Sequence, residues 1–415
     1  MKHLTIENVG PIVHVDFEVQ RFNFFIGPQS SGKSTVAKIL STCQWMEKEI
    51  ATLMDDTLFN DSQQFKSQFE NYHRMMGYFS AKSYIKYESD VVLIVYRNET
   101  PSITLKSRDG YQRYKICYTP AERNMITSPE LQGFEFGQTS LRSFLFDWYN
   151  AREQYNEKNK VNVLDLDVKY FYDPTETRYK DRIEHANGVR YNIPLYASSS
   201  GLQSVVPLQV MAQYFSDLYF QTFDQRTSFD LDSKIEIIRR RCVEDVVLKS
   251  IFPNYKHAQY DECVTKANEM YHEGNPKVLN LYKEFRATFN RLSVPDKTSF
   301  IIEEPEQNLY PYAQLTLLET LFRICQTDRN HELTITTHSP FVLSYLNILV
   351  KRHDVQLENK VSVDPNQLNV FAMQDGRSVD LVNINPSTGK KSINADDLVE
   401  AMQTILAEYK ELKSK

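Results

Sequence analysis

A glycine-rich segment near the beginning of the chain carries the strongest chemical signal. Residues 27–34 read Gly-Pro-Gln-Ser-Ser-Gly-Lys-Ser and fit the pattern G-x-x-x-x-G-K-[ST]. In such a loop the backbone N–H groups surround a phosphate, and the helix that follows directs its N-terminus at the anion. We expect Lys33 to bridge the β- and γ-phosphates of a nucleoside triphosphate and Ser34 to place its hydroxyl on Mg²⁺. The predicted phosphate-binding residues are Gly27, Pro28, Gln29, Ser30, Ser31, Gly32, Lys33, Ser34 and Thr35.

Two adjacent glutamates follow an apolar stretch late in the chain. Residues 300–306 read Phe-Ile-Ile-Glu-Glu-Pro-Glu, which is typical of a buried strand that ends in carboxylates. This arrangement lets one acid hold the Mg²⁺ shell while the next polarises an attacking water. We therefore predict Glu303 as the metal-side acid and Glu304 as the general base. A solvated acidic loop is the alternative, and the phosphate loop upstream favours the catalytic interpretation.

A histidine comes one predicted helix and one predicted strand after these acids. Residues 336–340 read Thr-Thr-His-Ser-Pro, and His338 could hydrogen-bond a γ-phosphate because either ring nitrogen can donate. A lone histidine is more often structural, but the position of His338 relative to the acids favours a catalytic role. The predicted catalytic residues are thus Lys33, Glu304 and His338.

Residues 197–204 form a serine-rich entry into an apolar helix. They read Ala-Ser-Ser-Ser-Gly-Leu-Gln-Ser and place Ser200, Gly201 and Gln203 at a helix N-terminus, where N–H groups can meet an anion. In isolation this segment would be interpreted as an ordinary helix cap.

Taken in order along the chain, these segments resemble the motifs of an ATP-binding-cassette (ABC) ATPase. Residues 27–34 correspond to Walker A, 116–123 to the Q-loop, 200–203 to the signature, 300–304 to Walker B and His338 to the switch histidine. The pattern is most similar to the SMC- and RecF-like branch, in particular to ATPases related to the overcoming-lysogenization-defect family of bacterial antiphage systems. That branch shows Y-x-P-A-E-R, S-S-G-x-Q-S, E-E-P-E-x-x-L-x-P and T-T-H-S-P, and this chain matches each of them.

The resemblance implies a fold, a cofactor and an assembly. It implies ATP hydrolysis to ADP and phosphate with ATP and Mg²⁺ as cofactors, and it adds Glu122 and Arg123 as cofactor-site candidates. Two chains would enclose two ATP molecules head to tail, each held by Walker A of one copy and by Ser200 and Gly201 of the other. The chain departs from the transporter-type pattern at Leu202, at Glu303 in place of Asp, and at Glu122 in place of the Q-loop glutamine.

The expected fold class is α/β, a P-loop ABC-type ATPase head with an antiparallel β subdomain, a helical signature lobe and a helical insertion. The predicted divisions are 1–129 (Walker A and the antiparallel β subdomain), 130–225 (the signature lobe), 226–295 (a helical insertion and partner surface) and 296–415 (Walker B and the switch histidine). Short strands are predicted at 2–7, 14–19 and 21–26, and antiparallel strands within 83–118, with turns at Asn98-Glu99 and Asp109-Gly110. A hairpin turn is predicted at Asn187-Gly188. The tail carries an amphipathic helix through Leu398, Met402, Ile405, Leu406 and Tyr409.

Composition limits the partners. The net charge of −6 argues against a sequence-independent nucleic-acid coat, which requires an excess of Lys and Arg. Because no apolar run reaches the roughly 18 residues of a membrane span, we expect a cytoplasmic protein without a membrane partner. The expected partners are a second copy or a higher homo-oligomer and a separately encoded effector nuclease or toxin; DNA is a further candidate.

Two other functions compete with a defence or toxin-control ATPase. A RecF- or SMC-like DNA repair or maintenance ATPase would be favoured by a long heptad-bearing arm, and none is visible in the sequence. A small-molecule kinase would use the same phosphate loop but would leave the signature and His338 unexplained.

Overall fold

The computed structural model describes residues 2–129, 137–185, 191–224 and 233–413. The strands are β1 (Lys2–Val9), β2 (Ile12–Val19), β3 (Phe22–Ile26), β4 (Tyr84–Glu88), β5 (Val92–Arg97), β6 (Thr100–Leu105), β7 (Tyr114–Thr119), β8 (Val161–Asn162), β9 (Val168–Tyr172), β10 (Asp181–His185), β11 (Tyr191–Pro194), β12 (Lys297–Glu303), β13 (Glu332–Thr337), β14 (Leu368–Gln374), β15 (Arg377–Asp380), β16 (Val382–Ile384) and β17 (Lys391–Ile393).

The helices of the described residues are numbered in chain order. They are α1 (Lys33–Leu53), α2 (Ser62–Glu70), α3 (Ser140–Arg152), α4 (Ser200–Gln213), α5 (Tyr219–Asp224), α6 (Ser233–Cys242), α7 (Lys249–Ile251), α8 (Tyr260–His272), α9 (Pro276–Ser293), α10 (Pro311–Cys325), α11 (Pro340–Asp354) and α12 (Asp396–Lys413). A 3₁₀ helix spans Ala121–Thr127, and π-helical turns span Tyr214–Leu218 and Val243–Leu248. None of the helices in the described ranges is long and apolar enough to cross a membrane.

One central sheet of eleven strands organises the molecule. Its order is β6-β5-β4-β1-β2-β15-β14-β3-β13-β12-β7. The neighbours from β14 to β7 pair in parallel, whereas β6, β5, β4, β1 and β2 pair in antiparallel fashion. Because parallel strands end at the same edge, the segments that follow β3, β12 and β13 lie side by side. The three predicted motifs therefore meet at one edge of the sheet.

The sheet is covered on both faces, and the side-chain alternation of its strands shows why. Phe24 and Phe300 point into a core shared with α3, α4, α10 and α11, whereas Phe25 and Ile301 point into a second core shared with α1. Successive side chains of a strand face opposite sides, so a strand buried on both faces is apolar throughout. This explains the apolar runs at 24–26 in β3 and 300–302 in β12.

The predicted antiparallel subdomain needs a correction. The three predicted N-terminal strands and the Asn98-Glu99 turn between β5 and β6 are confirmed, but β7 does not continue that antiparallel set. It pairs in parallel with β12 at the opposite edge of the sheet. Cys117 packs into one core and Tyr114 into the other, as in a strand covered on both faces. Residues 106–113 connect the two edges and contain the predicted turn at Asp109-Gly110, where the N–H of Tyr111 donates to the carbonyl of Arg108 at 3.1 Å.

The helical signature lobe packs beside a second, four-stranded sheet in the order β11-β10-β9-β8. The Asn187-Gly188 turn predicted between β10 and β11 lies outside the described residues. The two flanking strands pair antiparallel, with His185 opposite Tyr191.

The segment 226–295 is tied to the ATPase core at both of its ends. Ile238 and Cys242 of α6 and Leu292 of α9 join the core around α1, and Arg113 Nη1 donates a 2.6 Å hydrogen bond to the carbonyl of Ser293. Only its middle has a small core of its own, formed by Val243, Val247, Leu248, Cys263 and Ala267. A partner surface in this segment stays a prediction, and this packing places the outermost part of the insertion around α7 and α8.

Candidate nucleotide site

The phosphate loop connects β3 to α1 and requires glycine at two positions. Gly27 and Gly32 have φ angles of 155° and 102°. A Cβ atom on Gly27 would lie 2.5 Å from the carbonyl oxygen of Met373, and one on Gly32 would lie 2.9 Å from Ile12. Since Gly32 is the N-cap of α1 and has no side chain, the first N–H groups of the helix are left to an incoming anion.

Lys33 folds back over this loop. Its Nζ donates a 2.7 Å hydrogen bond to the carbonyl of Pro28 and lies 3.4 Å from Ser31 Oγ. The side chain is buried, and burial lowers the pKa of the ammonium, although the negative charges of Glu304 and Glu306 offset part of that effect. A bound phosphate would supply the counter-charge that this buried cation lacks within the loop.

Glu303 ends β12 and is 4% exposed. Its carboxylate accepts a hydrogen bond from the hydroxyl of Tyr118, which ends the neighbouring strand β7. Burial raises the pKa of Glu303, and the charges of Glu122 and Glu304 add to that rise, while Lys38 and the Tyr118 hydroxyl oppose it. A cation beside this carboxylate would favour its ionised form.

Glu304 is held in a left-handed backbone conformation, with φ of 44°. This conformation costs a non-glycine residue about 1–3 kcal/mol, and it persists where the surrounding structure imposes it. The N–H of Glu304 donates to the carbonyl of Thr336 at 2.8 Å. This bond anchors Glu304 beside β13 and directs its half-exposed carboxylate toward His338, whose Nε2 lies 3.4 Å from Glu304 Oε1.

Glu306 completes the acidic cluster. One of its oxygens, Oε1, accepts the backbone N–H of His338 at 2.6 Å. The other, Oε2, is buried without a hydrogen-bond partner, as are Gln307 Oε1 and Thr336 Oγ1. Buried polar atoms without partners cost about 1–3 kcal/mol each, so such a group at the ends of β12 and β13 is a place where a polar ligand would be stabilising.

The donor set fits a magnesium nucleotide. Ser34 and Glu303 offer the hard oxygen ligands that Mg²⁺ prefers, and this ion commonly takes its other ligands from phosphate and water. The glycine cradle and the buried Lys33 require an anion, whereas the partnerless acceptor oxygens of Glu306 and Gln307 require a cation or a hydrogen-bond donor such as metal-bound water. A magnesium nucleotide with its bound waters supplies both.

Arg123 occupies a position that its sequence motif does not reveal. It is 0% exposed, and its guanidinium donates to the carbonyls of Ser204 at 3.1 Å, Glu303 at 2.8 Å and Glu304 at 2.7 Å. Burial lowers its pKa to about 10, so it remains charged at neutral pH. It thus connects the 3₁₀ helix, α4 and the end of β12. Glu122, by contrast, is exposed. Nucleotide contacts for both residues stay predictions.

The signature residues lie at the start of α4, against the loop that follows Walker B. A Cβ atom on Gly201 would lie 2.8 Å from the carbonyl oxygen of Asn308, and Asn308 Nδ2 donates to Ser204 Oγ at 3.1 Å. Gln203 donates to the carbonyls of Tyr196 and Ser198, both at 2.8 Å. No hydrogen bond or ion pair between described residues connects 198–204 to the phosphate loop of the same chain. A role for Ser200 in the site of a second chain stays a prediction.

Three residues make contacts in this site that the sequence did not predict. Tyr118 holds Glu303, Glu306 holds the backbone at His338, and Asn308 joins α4 to the Walker B loop. The tyrosine stands in the Q-loop motif and the other two in the E-E-P-E-x-x-L motif, so the sequence contained a signal for each. Their partners, however, lie 185, 32 and 104 residues away along the chain.

Comparison with known proteins gives similarities of fold. No protein-family model and no curated protein matches this sequence. Similar solved structures include the SMC head domain from Thermotoga maritima, with 10% identity, 91% of this chain and 97% of that chain covered, and a TM-score of 0.36. The recombination mediator protein RecF matches with 10% identity, coverage of 91% and 97%, and a TM-score of 0.31. A dimeric bacterial ABC transporter cassette matches with 12% identity, coverage of 90% and 96%, and a TM-score of 0.25.

The predicted α/β fold class is confirmed by the eleven-stranded sheet and the helices that cover it. The site itself is defined by the phosphate loop, the carboxylates and the histidine of this chain.

Proposed function

We propose that this protein binds ATP and hydrolyses it to ADP and phosphate. The observation that carries the proposal is the meeting of four side chains at one edge of the central sheet: Lys33 after β3, Glu303 and Glu304 at the end of β12, and His338 after β13. Each is of the type that phosphoryl transfer requires, namely a phosphate-binding cation, a metal-side acid, a base for water and a hydrogen-bond donor.

The residues divide the work as follows. The phosphate loop and Lys33 bind and orient the phosphates, and Ser34 and Glu303 would hold Mg²⁺, which offsets phosphate charge when it is bound. Glu304 accepts the proton of the attacking water, since its carboxylate is half-exposed and held by a fixed backbone. His338, 3.4 Å from that carboxylate, is placed to donate to the γ-phosphate.

We further propose that two chains complete the site head to tail. Exposed aromatic side chains support this: Tyr310 is 79% exposed, Tyr312 70% and Phe341 41%. Tyr310 comes two residues after Asn308, which contacts the signature helix, and Phe341 comes three residues after His338. Aromatic residues are enriched in protein–protein interfaces and are costly to leave in water, so this surface favours a second copy carrying Ser200 and Gly201.

The cellular role we propose is that of a sensor or scaffold ATPase in an antiphage or toxin-control module, acting with a separately encoded effector nuclease or toxin. The motif resemblance supports this role. The competing role is that of a RecF- or SMC-like ATPase that grips DNA, and it requires cationic side chains that are free to contact phosphates. The three consecutive arginines Arg239-Arg240-Arg241 instead contact other residues of the insertion. Their contacts are Arg239–Glu236 at 3.5 Å, Arg240 over the ring of Tyr260 at 4.2 Å, and Arg241–Glu244 at 3.8 Å.

Calorimetric titration with Mg²⁺-ATP tests the nucleotide site. Lys33→Ala should abolish measurable binding, because the loop loses its buried cation. Lys48→Ala is the matched control: it removes a lysine from the same helix α1, roughly four turns further on, and should leave the affinity unchanged. Equal ATP affinity of the parental chain and Lys33→Ala would refute the site.

Sedimentation with ATP tests the assembly. At protein concentrations low enough for the parental chain to be monomeric without nucleotide, ATP should shift it to a dimer through the aromatic surface, and Tyr310→Ser should weaken that shift. Tyr191→Ser removes an exposed tyrosine from the separate four-stranded sheet and serves as the control. Fluorescence anisotropy with labelled duplex DNA separates the two cellular roles, since ATP-dependent DNA binding in the submicromolar range would favour the DNA-maintenance role.

A further inference from the structure

The second half of the C-terminal helix α12 lies exposed on the surface of the protein. All of the residues 404–413 are exposed, and among them are four large apolar side chains. Ile405 is 68% exposed, Leu406 51%, Tyr409 62% and Leu412 60%. An isolated helix of this length is marginal in water, and an amphipathic one gains most of its stability by burying its apolar face. The helix therefore needs an apolar partner surface.

The spacing of the apolar residues shows what kind of partner fits. The sequence places Leu398, Met402, Ile405, Tyr409 and Leu412 at intervals of 4, 3, 4 and 3 residues. This alternation is the a/d repeat of a coiled coil, in which one helix supercoils around another of the same pattern. Val399 and Leu406 fall at e positions of the same repeat, so the apolar face extends beyond the a/d seam on one side.

The charges beside the seam select the orientation. With Met402 and Tyr409 at a positions and Ile405 and Leu412 at d positions, Glu408 falls at g and Lys413 at e. In a parallel, in-register pair the g residue of one helix faces the e residue that lies five positions later in the other. Glu408 then meets Lys413 of the partner subunit, and the pair forms twice. An antiparallel pair sets g against g and e against e, so it does not bring these two charges together.

We propose that α12 pairs with α12 of a second copy as a parallel, in-register two-stranded coiled coil. The pairing buries the exposed seam and is independent of nucleotide, because no residue of α12 belongs to the ATP site. It would keep two chains together before ATP arrives, so that closure of the ATPase heads becomes an intramolecular step with a raised effective concentration.

Sedimentation equilibrium of the full chain without nucleotide tests the pairing. The Lys33→Ala background is used for every sample, so that the ATP-dependent contact cannot contribute and a failure of the proposed ATPase function cannot be mistaken for a failure here. The chain should dimerise reversibly, and Ile405→Asp should remove the dimer. Circular dichroism checks that the globular body of each variant remains folded.

Charge reversal tests the orientation. Glu408→Lys and Lys413→Glu should each raise the dimer dissociation constant by roughly three- to tenfold, since each sets like charges face to face across the seam twice. Combining both substitutions in one chain should restore parental dimerisation, and so should mixing the two single variants, because the mixed pair again has opposite charges at both positions. Charge reversal at Glu411 and at Lys410 is the matched control. Both residues occupy outer positions of the repeat, so these reversals should change the dimer dissociation constant little.

Two results would overturn the proposal. A Lys33→Ala chain that remains monomeric at about 100 µM, well above the dissociation constant that an interaction of this kind needs, excludes a self-pairing helix. A dimer that survives Ile405→Asp excludes pairing through α12, and a dimer that the double charge reversal does not restore excludes the parallel register.

Discussion

Removal of the Tyr118 hydroxyl should weaken the metal-dependent part of ATP binding. The hydroxyl donates to Glu303, and both side chains are nearly inaccessible, at 7% and 4% exposure. A hydrogen bond to an ionised group contributes about 1.5–3 kcal/mol, and water cannot replace it at such burial. Tyr118→Phe leaves the carboxylate buried with fewer donors, which raises its pKa further and makes it a poorer metal ligand.

This energy converts directly into a ratio of affinities. Since about 1.4 kcal/mol corresponds to a factor of ten, Tyr118→Phe should reduce the ratio of ATP affinity with Mg²⁺ to ATP affinity with a chelator by roughly ten- to a hundredfold. Affinity in the chelator alone should stay at the parental value, because the phosphate loop is untouched. Calorimetry under the two conditions provides both numbers without any measurement of turnover.

Tyr114→Phe is a closely matched control. Tyr114 is buried in the same strand β7, and its hydroxyl also bonds a buried glutamate, Glu47, at 3.1 Å, but not one that faces the nucleotide. This variant should keep the parental ratio. If Tyr118→Phe also keeps it, Glu303 is not the metal-side acid and the division of labour between Glu303 and Glu304 must be revised.

Three further predictions follow from the site and the core. Glu304→Gln should bind ATP with parental affinity but release phosphate on the order of a hundredfold more slowly, since an amide cannot accept the proton of water; an unchanged rate would point to another base. Ser200→Arg should block hydrolysis while sparing ATP binding, and mixing it with Lys33→Ala should restore part of the activity, because one of the two composite sites then carries neither lesion; full activity of Ser200→Arg alone would refute a role in the second chain's site. Burial lowers the pKa of His331 to about 4, and its Nδ1 accepts the N–H of Thr298 at 2.9 Å, so the folded protein resists protonation there. The free energy of unfolding should therefore fall by about 2–3 kcal/mol as the pH drops from about 6.5 to 4, and urea titrations should show a shallower fall for His331→Gln, which keeps an acceptor but does not titrate; an identical pH dependence would contradict this.

Much of the local structure could be predicted from short stretches of sequence. The periodicity of apolar residues agrees with the boundaries of α10 and with the strand that ends at Glu303. It also agrees with the strand–loop–helix around Gly27 and Lys33. These features depend on residues only a few positions apart in the chain. The helical and strand periods of apolar residues therefore predict them.

Residue types also fixed the chemistry of the candidate site. A glycine pair with a lysine, two adjacent carboxylates and a histidine at a strand end define phosphate, metal and water roles before any coordinates are known. The 4-3 spacing in α12 is likewise a property of the sequence alone.

The arrangement between segments was decided only by the tertiary structure. β13 lies between β3 and β12, and this order alone brings His338 to within 3.4 Å of Glu304. β7 crosses to the far edge and delivers Tyr118 to Glu303, and the guanidinium of Arg123 closes on backbone carbonyls of three different segments. Strand partners and backbone acceptors are chosen by the packing of distant segments, because every backbone offers the same N–H and C=O groups and a sequence does not mark which of them will be buried together.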